Sequence, residues 1–133
     1  MTILFQSTAA WAGDCRSPAP IEFRKGSNAA GVHGGIVRAE DVCYALVARA
    51  GQHIEADIQS PDENVVFSLY APGYRVTPGT DGVDITGPTL PGAGDEDDAT
   101  SLHATLPANG RYLFLLGTKR GAGGDYRLQV RVH

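Results

Sequence analysis

Ser101-Leu-His-Ala-Thr-Leu-Pro-Ala-Asn-Gly-Arg-Tyr-Leu-Phe-Leu-Leu-Gly-Thr118 runs into Lys119-Arg-Gly-Ala-Gly-Gly124 and then into Asp125-Tyr-Arg-Leu-Gln-Val-Arg-Val132. Three strand patterns are separated here by two turns. Leu102, Ala104 and Leu106 alternate with polar neighbours, the period of a strand with one buried face. Pro107 to Gly110 supplies turn chemistry, since proline pre-sets φ and Asn-Gly tolerates left-handed backbone. Tyr112 to Leu116 is apolar at every position, which suits a central strand covered on both faces. Tyr126, Leu128, Val130 and Val132 alternate with Arg127, Gln129 and Arg131, marking a half-buried strand. The last two strands read as a hairpin whose glycine-rich tip carries Lys119 and Arg120. An arginine on an exposed loop of a rigid sheet is well placed to probe a partner's cleft.

Working back from this quarter, the same signals recur. Short strands are expected at Ile21–Arg24, Val32–Arg38, about Val42–Ala48, His53–Ser60 and Val65–Tyr70, each bounded by turn residues. The segment Arg38 to Asp41 turns into the third of them. Ala71 to Thr100 breaks the pattern with Pro72, Pro78, Pro88 and Pro91 and the acid run Asp95-Glu-Asp-Asp98. It is expected to be irregular, with one short strand around Val83 to Thr86. Even the most helix-like stretch, Ala39 to Arg49, places Val42, Tyr44, Leu46 and Ala48 at strict alternation. The expected fold is all-β, a single antiparallel β-sandwich of roughly eight strands with jelly-roll-like connections. Gly 17 and Pro 8 in 133 residues agree with so many turns, and that length can bury one core.

A formal net charge of −4 argues against non-specific nucleic-acid binding, which needs a basic face. It favours encounter with a basic partner. No segment is long enough to span a membrane. At the N-terminus, Ala10-Trp-Ala12 fits the small-x-small pattern of a signal-peptidase site, with Gly13 as the first mature residue. Residues 1–12 are therefore expected to be the remnant of a longer signal peptide, and 13–133 a single β-sandwich domain; a disordered tail is the other reading of the first dozen residues. Cys15 and Cys43 would be two thiols in a reducing cytosol and a disulfide in an exported chain. The disulfide is the expectation adopted. It closes a loop of about 29 residues, which the chain-entropy model values at roughly 3–4 kcal/mol. Cys43 alternates with the inward Val42, Tyr44 and Leu46, so it is expected to face outward and be reachable.

Enzyme chemistry is sparse. There is no Gly-x-Ser-x-Gly elbow, and Gly121-Ala-Gly-Gly124 is not followed by the Lys-Ser/Thr of a phosphate loop. His33, His53, His103 and His133 have no metal-ligand spacing, so no metal and no cofactor is expected. His53 and His103 fall on outward faces as solvated strand residues. Asp95 to Asp98 reads as a solvated loop tip and lacks the spacing of a calcium loop. Tyr44, Tyr112, Phe114 and Tyr126 are assigned to the core, whereas Tyr70 and Tyr74 flank the long segment as exposed candidates for stacking on a sugar.

Several blocks occur in a recognisable order: Ile21-Glu-Phe-Arg-Lys-Gly26, Ala50-Gly-Gln52, Pro72-Gly73, Asp81-Gly-Val-Asp-Ile85, Leu106-Pro-Ala-Asn-Gly-Arg-Tyr112 and Arg120. From about Ile21 to Val132 the chain resembles the periplasmic inhibitors of g-type lysozyme of Gram-negative bacteria. More distantly it resembles the pre-peptidase C-terminal domains that share the β-sandwich. The first resemblance implies a periplasmic or secreted, non-enzymatic protein that inserts loops from one end of the sandwich into the lysozyme's active-site cleft. Arg120 matches the arginine on the loop after the Gly-x-Tyr strand, Lys119 lies beside it, and Arg38 and Glu40 in the Arg38–Asp41 turn are expected as rim contacts. A guanidinium entering a cleft built around a catalytic glutamate would pair with it bidentately. The chain departs from the family pattern in carrying Gly124 where a second arginine is usual and Ala39 where an aromatic is usual. The second resemblance implies instead a module holding carbohydrate or calcium through Ala71 to Thr100.

Overall fold

The structure is a computed structural model that describes residues 14–37, 40–79 and 82–133; the expected signal remnant and Arg38 lie outside the described residues. Ten strands follow in chain order: β1 (Ala19–Pro20), β2 (Ala29–Ile36), β3 (Val42–Ala48), β4 (His53–Gln59), β5 (Val65–Tyr70), β6 (Arg75–Gly79), β7 (Gly82–Thr86), β8 (Ser101–Thr105), β9 (Gly110–Thr118) and β10 (Gly124–Val132). Eight of them form two four-stranded sheets, ordered β1-β3-β9-β5 and β2-β10-β4-β8, and β6-β7 is a separate pair. All pairings are antiparallel except that of the two-residue β1 on β3. The expected sandwich is present.

The alternating strands bury their apolar faces as expected. Tyr126, Leu128, Val130 and Val132 from β10, and Ile54, Ala56 and Ile58 from β4, meet Tyr44, Leu46, Phe67, Leu69, Tyr112, Phe114 and Leu116 of the opposite sheet. Strand β9 is central and buried on both sides. Tyr112, Phe114 and Leu116 face the sandwich interior, while Leu113 belongs to a second apolar cluster with Cys15, Cys43 and Tyr70. Tyr74, Val76, Val83 and Ile85 close that outer cluster, so the β6-β7 hairpin acts as its cover.

This second layer corrects three expectations. Cys43 does point away from the sandwich interior, but it is fully buried, and it is bonded to Cys15 (S–S 2.01 Å). Tyr70 is only 2% exposed, and Tyr74 is half-buried against the same cluster, so neither is a free stacking platform. The Ala71–Thr100 segment holds the expected short strand as β7 and a second one, β6, and the strandless part after β7 is fastened to a sheet edge. Its part after β7 runs along β5, with the Ala71 N–H donating to Pro88 O, Leu69 N–H to Ala93 O and Phe67 N–H to Ala99 O at 2.8–3.0 Å. Those bonds occupy donors that an edge strand would otherwise leave open. The Tyr70 hydroxyl donates to Asp95, and Asp97 accepts from the Gly94 N–H at 2.7 Å, so two of the four acid-run residues brace this cover.

Two further expectations change. Ile21–Arg24 is not a strand; β1 precedes it, and Ile21 is held by its N–H to Ala45 O at 2.8 Å. The Lys119–Gly123 loop is not a hairpin tip, because β9 and β10 belong to opposite sheets. From β1 to β5, and again from β8 to β10, the chain changes sheet at every connection.

Local chemistry explains the other marked motifs. In Leu106-Pro-Ala-Asn-Gly-Arg-Tyr112, the buried Tyr112 hydroxyl donates to Ala108 O at 2.7 Å and accepts from Ala108 N–H at 3.1 Å. This is a tyrosine corner: the ring closes the arch that leads into its own strand. Asn109 accepts from the Ala50 N–H at 2.8 Å, tying that arch to the β3-β4 turn. Gly34 sits directly across from Tyr126, and a Cβ there would lie 2.8 Å from the Tyr126 hydroxyl. The missing side chain makes room for a buried hydrogen bond of 2.6 Å between the Tyr126 and Tyr44 hydroxyls.

Two outcomes follow for stability. Replacing both Cys15 and Cys43 with alanine is expected to cost about 2–4 kcal/mol, seen as a lower urea midpoint; an unchanged midpoint would mean that the outer layer holds without its tether. Burial is the main cause that pushes the Tyr44, Tyr70 and Tyr126 phenols above the usual range, reinforced at Tyr70 by the Asp95 carboxylate. The folded protein therefore keeps protons that the unfolded chain releases above about pH 10, and stability falls as pH rises through that point. An alkaline titration followed by phenolate absorbance should show three of the five tyrosines ionising only as the fold is lost.

Candidate functional site

Three connections meet at one end of the sandwich. Strand β3 starts opposite Leu116, β5 starts opposite Thr118, and β10 starts opposite Ile36. This brings together the β2-β3 connection with Glu40, the β4-β5 turn Ser60–Asn64, and the β9-β10 arch with Lys119 and Arg120. Glu40, Lys119 and Arg120 are all exposed there.

The arch is held by a residue that sequence reasoning missed. Asn64 is 2% exposed, and its amide makes three contacts with the arch. Its Oδ1 accepts from the Arg120 N–H at 2.9 Å, and its Nδ2 donates to Ala122 O at 2.8 Å and to Arg120 O at 3.5 Å. The Asn64 carbonyl also accepts from the Lys119 N–H at 2.9 Å. A buried amide must find partners for its donors and acceptor, and here the partners are backbone groups that a sheet-to-sheet crossover leaves without a ladder. The turn carrying Asn64 is itself closed by Glu63 N–H to Ser60 O at 3.0 Å, with Glu63 in left-handed backbone at φ 53°. The only hint in the sequence was an asparagine ending a Pro-Asp-Glu turn.

The arch thus presents Arg120 with its backbone pinned on both sides. Its Nη2 donates to Asp62 O at 3.3 Å, which lays the side chain across the β4-β5 turn. Among the described residues no lysine or arginine side chain lies within ion-pair distance of a carboxylate, so neither Lys119 nor Arg120 has a described carboxylate partner. Around the two cations stand the exposed carboxylates of Glu40, Asp41, Asp62, Glu63 and Asp125. Partial burial raises the Asp41 carboxyl above its ordinary value. Beside the arch, a groove of about 470 Å³ runs between the end of β2, the β4-β5 turn and the start of β10, lined by Ile36, Val37, Pro61, Asp62 and Asp125 among others. Val37 is 65% exposed, one of two large apolar side chains so open among the described residues. A cationic tip with an acidic collar and an apolar shoulder is suited to engaging a shaped, charged surface.

No protein-family model and no curated protein matches the chain. Solved structures do. Aeromonas hydrophila PliG, a periplasmic lysozyme inhibitor of g-type lysozyme, aligns with a TM-score of 0.63 and 26% identity, covering 86% of this chain and 95% of that one. Salmonella Typhimurium PliG aligns at 0.60 with 22% identity, covering 86% and 96%. A mutant of the Escherichia coli protein PliG-Ec aligns at 0.60 with 20% identity, again covering 86% and 96%. At such identities the last two speak for the fold alone. These structural neighbours are inhibitor proteins, not enzymes. Over most of its length, then, the chain is a structural relative of the PliG proteins, the family that its sequence resembles.

Proposed function

We propose that this protein is a periplasmic or secreted inhibitor of g-type lysozyme. The observation that carries the proposal is the likeness to Aeromonas hydrophila PliG over nearly all of that protein. The site geometry supports it from a second direction, because the end of the sandwich offers a pre-shaped cationic projection rather than a loose loop. In this reading the β9-β10 arch enters the enzyme's cleft and the Arg120 guanidinium pairs with a catalytic carboxylate. Lys119 accompanies it, and Arg38 and Glu40 meet the rim. Pre-organisation matters because association must offset the ordering of interface side chains, which costs about 0.5–1.5 kcal/mol for each flexible one. The Asn64 clamp meets the backbone part of that cost before the partner arrives. The role is binding, not turnover: the inhibitor occupies the cleft and excludes peptidoglycan.

The test is titration of the protein into turbidity assays of peptidoglycan lysis by g-, c- and i-type lysozymes. Stoichiometric loss of g-type activity is expected, and no effect on any of the three would overturn the proposal. Arg120→Ala is expected to weaken inhibition roughly 30-fold or more, the scale of an interface hot spot of about 2 kcal/mol, with the urea midpoint unchanged. Full inhibition by that variant would remove Arg120 as the anchor. Asn64→Ala leaves the Arg120 N–H and Ala122 O without their partner, so it should cost about 1–3 kcal/mol of stability. It should also speed hydrogen exchange at the Arg120 amide and weaken inhibition although the guanidinium is intact.

A further inference from the structure

All four histidines of the chain stand exposed on one surface, the outer face of the β2-β10-β4-β8 sheet. His33 is on β2, His53 on β4, His103 on β8, and His133 directly follows β10. Two of them are cross-strand partners. The His53 N–H donates to His133 O at 2.7 Å and the His133 N–H donates to His53 O at 3.0 Å, so the two backbones are locked opposite each other. Their rings lie with centroids 5.9 Å apart and planes tilted by 55°.

That spacing is the one a shared ion requires. With metal–nitrogen bonds of about 2.0–2.1 Å, two imidazoles on one ion hold their ring centres roughly 5–6 Å apart. Each ring also has one nitrogen already committed to an orienting group. His133 Nε2 is 3.3 Å from Glu55 Oε2, and His53 Nδ1 is 3.2 Å from Thr105 Oγ1. The opposite nitrogens, His53 Nε2 and His133 Nδ1, have no hydrogen-bond partner among the described residues. A carboxylate or hydroxyl on the far nitrogen of a ligating histidine fixes its tautomer and raises its basicity. Glu55 is suited to that task.

We propose that His53 and His133 form a surface site for a divalent transition-metal ion of the zinc and copper class. His53 Nε2 and His133 Nδ1 are the two protein ligands, Glu55 and Thr105 orient them, and water completes the coordination. Imidazole pairs select this class over magnesium or calcium, which want oxygen ligands. The site is remote from the arch. It lies at the start of β4, whereas the β4-β5 turn follows its other end, and a strand of seven residues spans about 20 Å. The inference therefore stands apart from the proposed inhibition.

The experiment is calorimetric titration of the metal-free protein with Zn2+, Cu2+ and Mg2+ in turn. One Zn2+ per chain is expected, with Cu2+ tighter than Zn2+ and Mg2+ silent. His53→Gln should abolish the saturable signal. Glu55→Gln, which removes no ligand, should weaken it about 10- to 100-fold, and His33→Gln should leave it unchanged. His33 and His53 are exposed and Glu55 is half-buried, and unchanged urea midpoints will show that each variant is folded. Absence of saturable binding by both ions overturns the proposal, as does equal loss in the His33 and His53 variants, which would reveal diffuse histidine binding. Lysozyme inhibition serves as an independent readout and should be the same with and without the ion.

Discussion

Burying β9 on both faces is the demand around which the rest of the molecule is arranged. A run of five large apolar residues, Tyr112 to Leu116, cannot be satisfied by one core. One face goes to the space between the sheets, as in any sandwich. The other needs a separate roof over Leu113, and the chain supplies it from two distant places: the segment tethered by Cys15 to Cys43, and the β6-β7 hairpin. The disulfide is thus more than an entropic cross-link. It holds a roof element whose own strand pairing is limited to the two-residue β1.

At the end of the sandwich that carries Arg120 the same economy is visible on a smaller scale. A chain that leaves one sheet and enters the other must abandon its ladder hydrogen bonds for several residues. Asn64 replaces them with one side chain, and in doing so it determines where Arg120 begins. The rigidity of the projection comes from a buried amide in a neighbouring turn and not from the arch itself, whose Gly121-Ala-Gly-Gly124 stretch has no intrinsic preference for one shape. Glycine gives the arch freedom to turn, and the amide selects the turn.

How far the sequence could be read depends on the range of each interaction. Alternation in Tyr126 to Val132 and Ile54 to Ile58 reports a local property, and it transferred directly to the structure. The same rule misjudged the reach of Cys43, because alternation tells only which side of a strand a residue takes and not whether that side is later roofed; Tyr70, read as exposed from its place beside the long segment, lies under the same roof. A glycine-rich loop between two strands looks alike whether those strands pair with each other or lie in opposite sheets, so the arch read as a hairpin. The clamp was out of reach for the same reason: Asn64 and Arg120 are 56 positions apart. Arg120 itself stood out only through the family resemblance, since a charged pair on a loop tip says little alone. The His53 and His133 pair was equally hidden, as nothing in a scattered set of histidines announces that two of them are cross-strand neighbours.

The strand order has a temporal meaning. In one sheet β9 stands between β3 and β5, and in the other β10 stands between β2 and β4. Strands β9 and β10 both follow all the others in chain order. Until they appear, the pairings open to the described strands are β4 with β8, β1 with β3, the small β6-β7 hairpin, and β5 with the Pro88 to Ala99 segment along its edge. Neither sheet is complete before β9 and β10 are available, and completion must wait for sequence-distant contacts, which places folding in the slow, millisecond-to-second regime typical of such topologies. A chain built this way closes its sandwich only when its final quarter takes the places between the strands on either side.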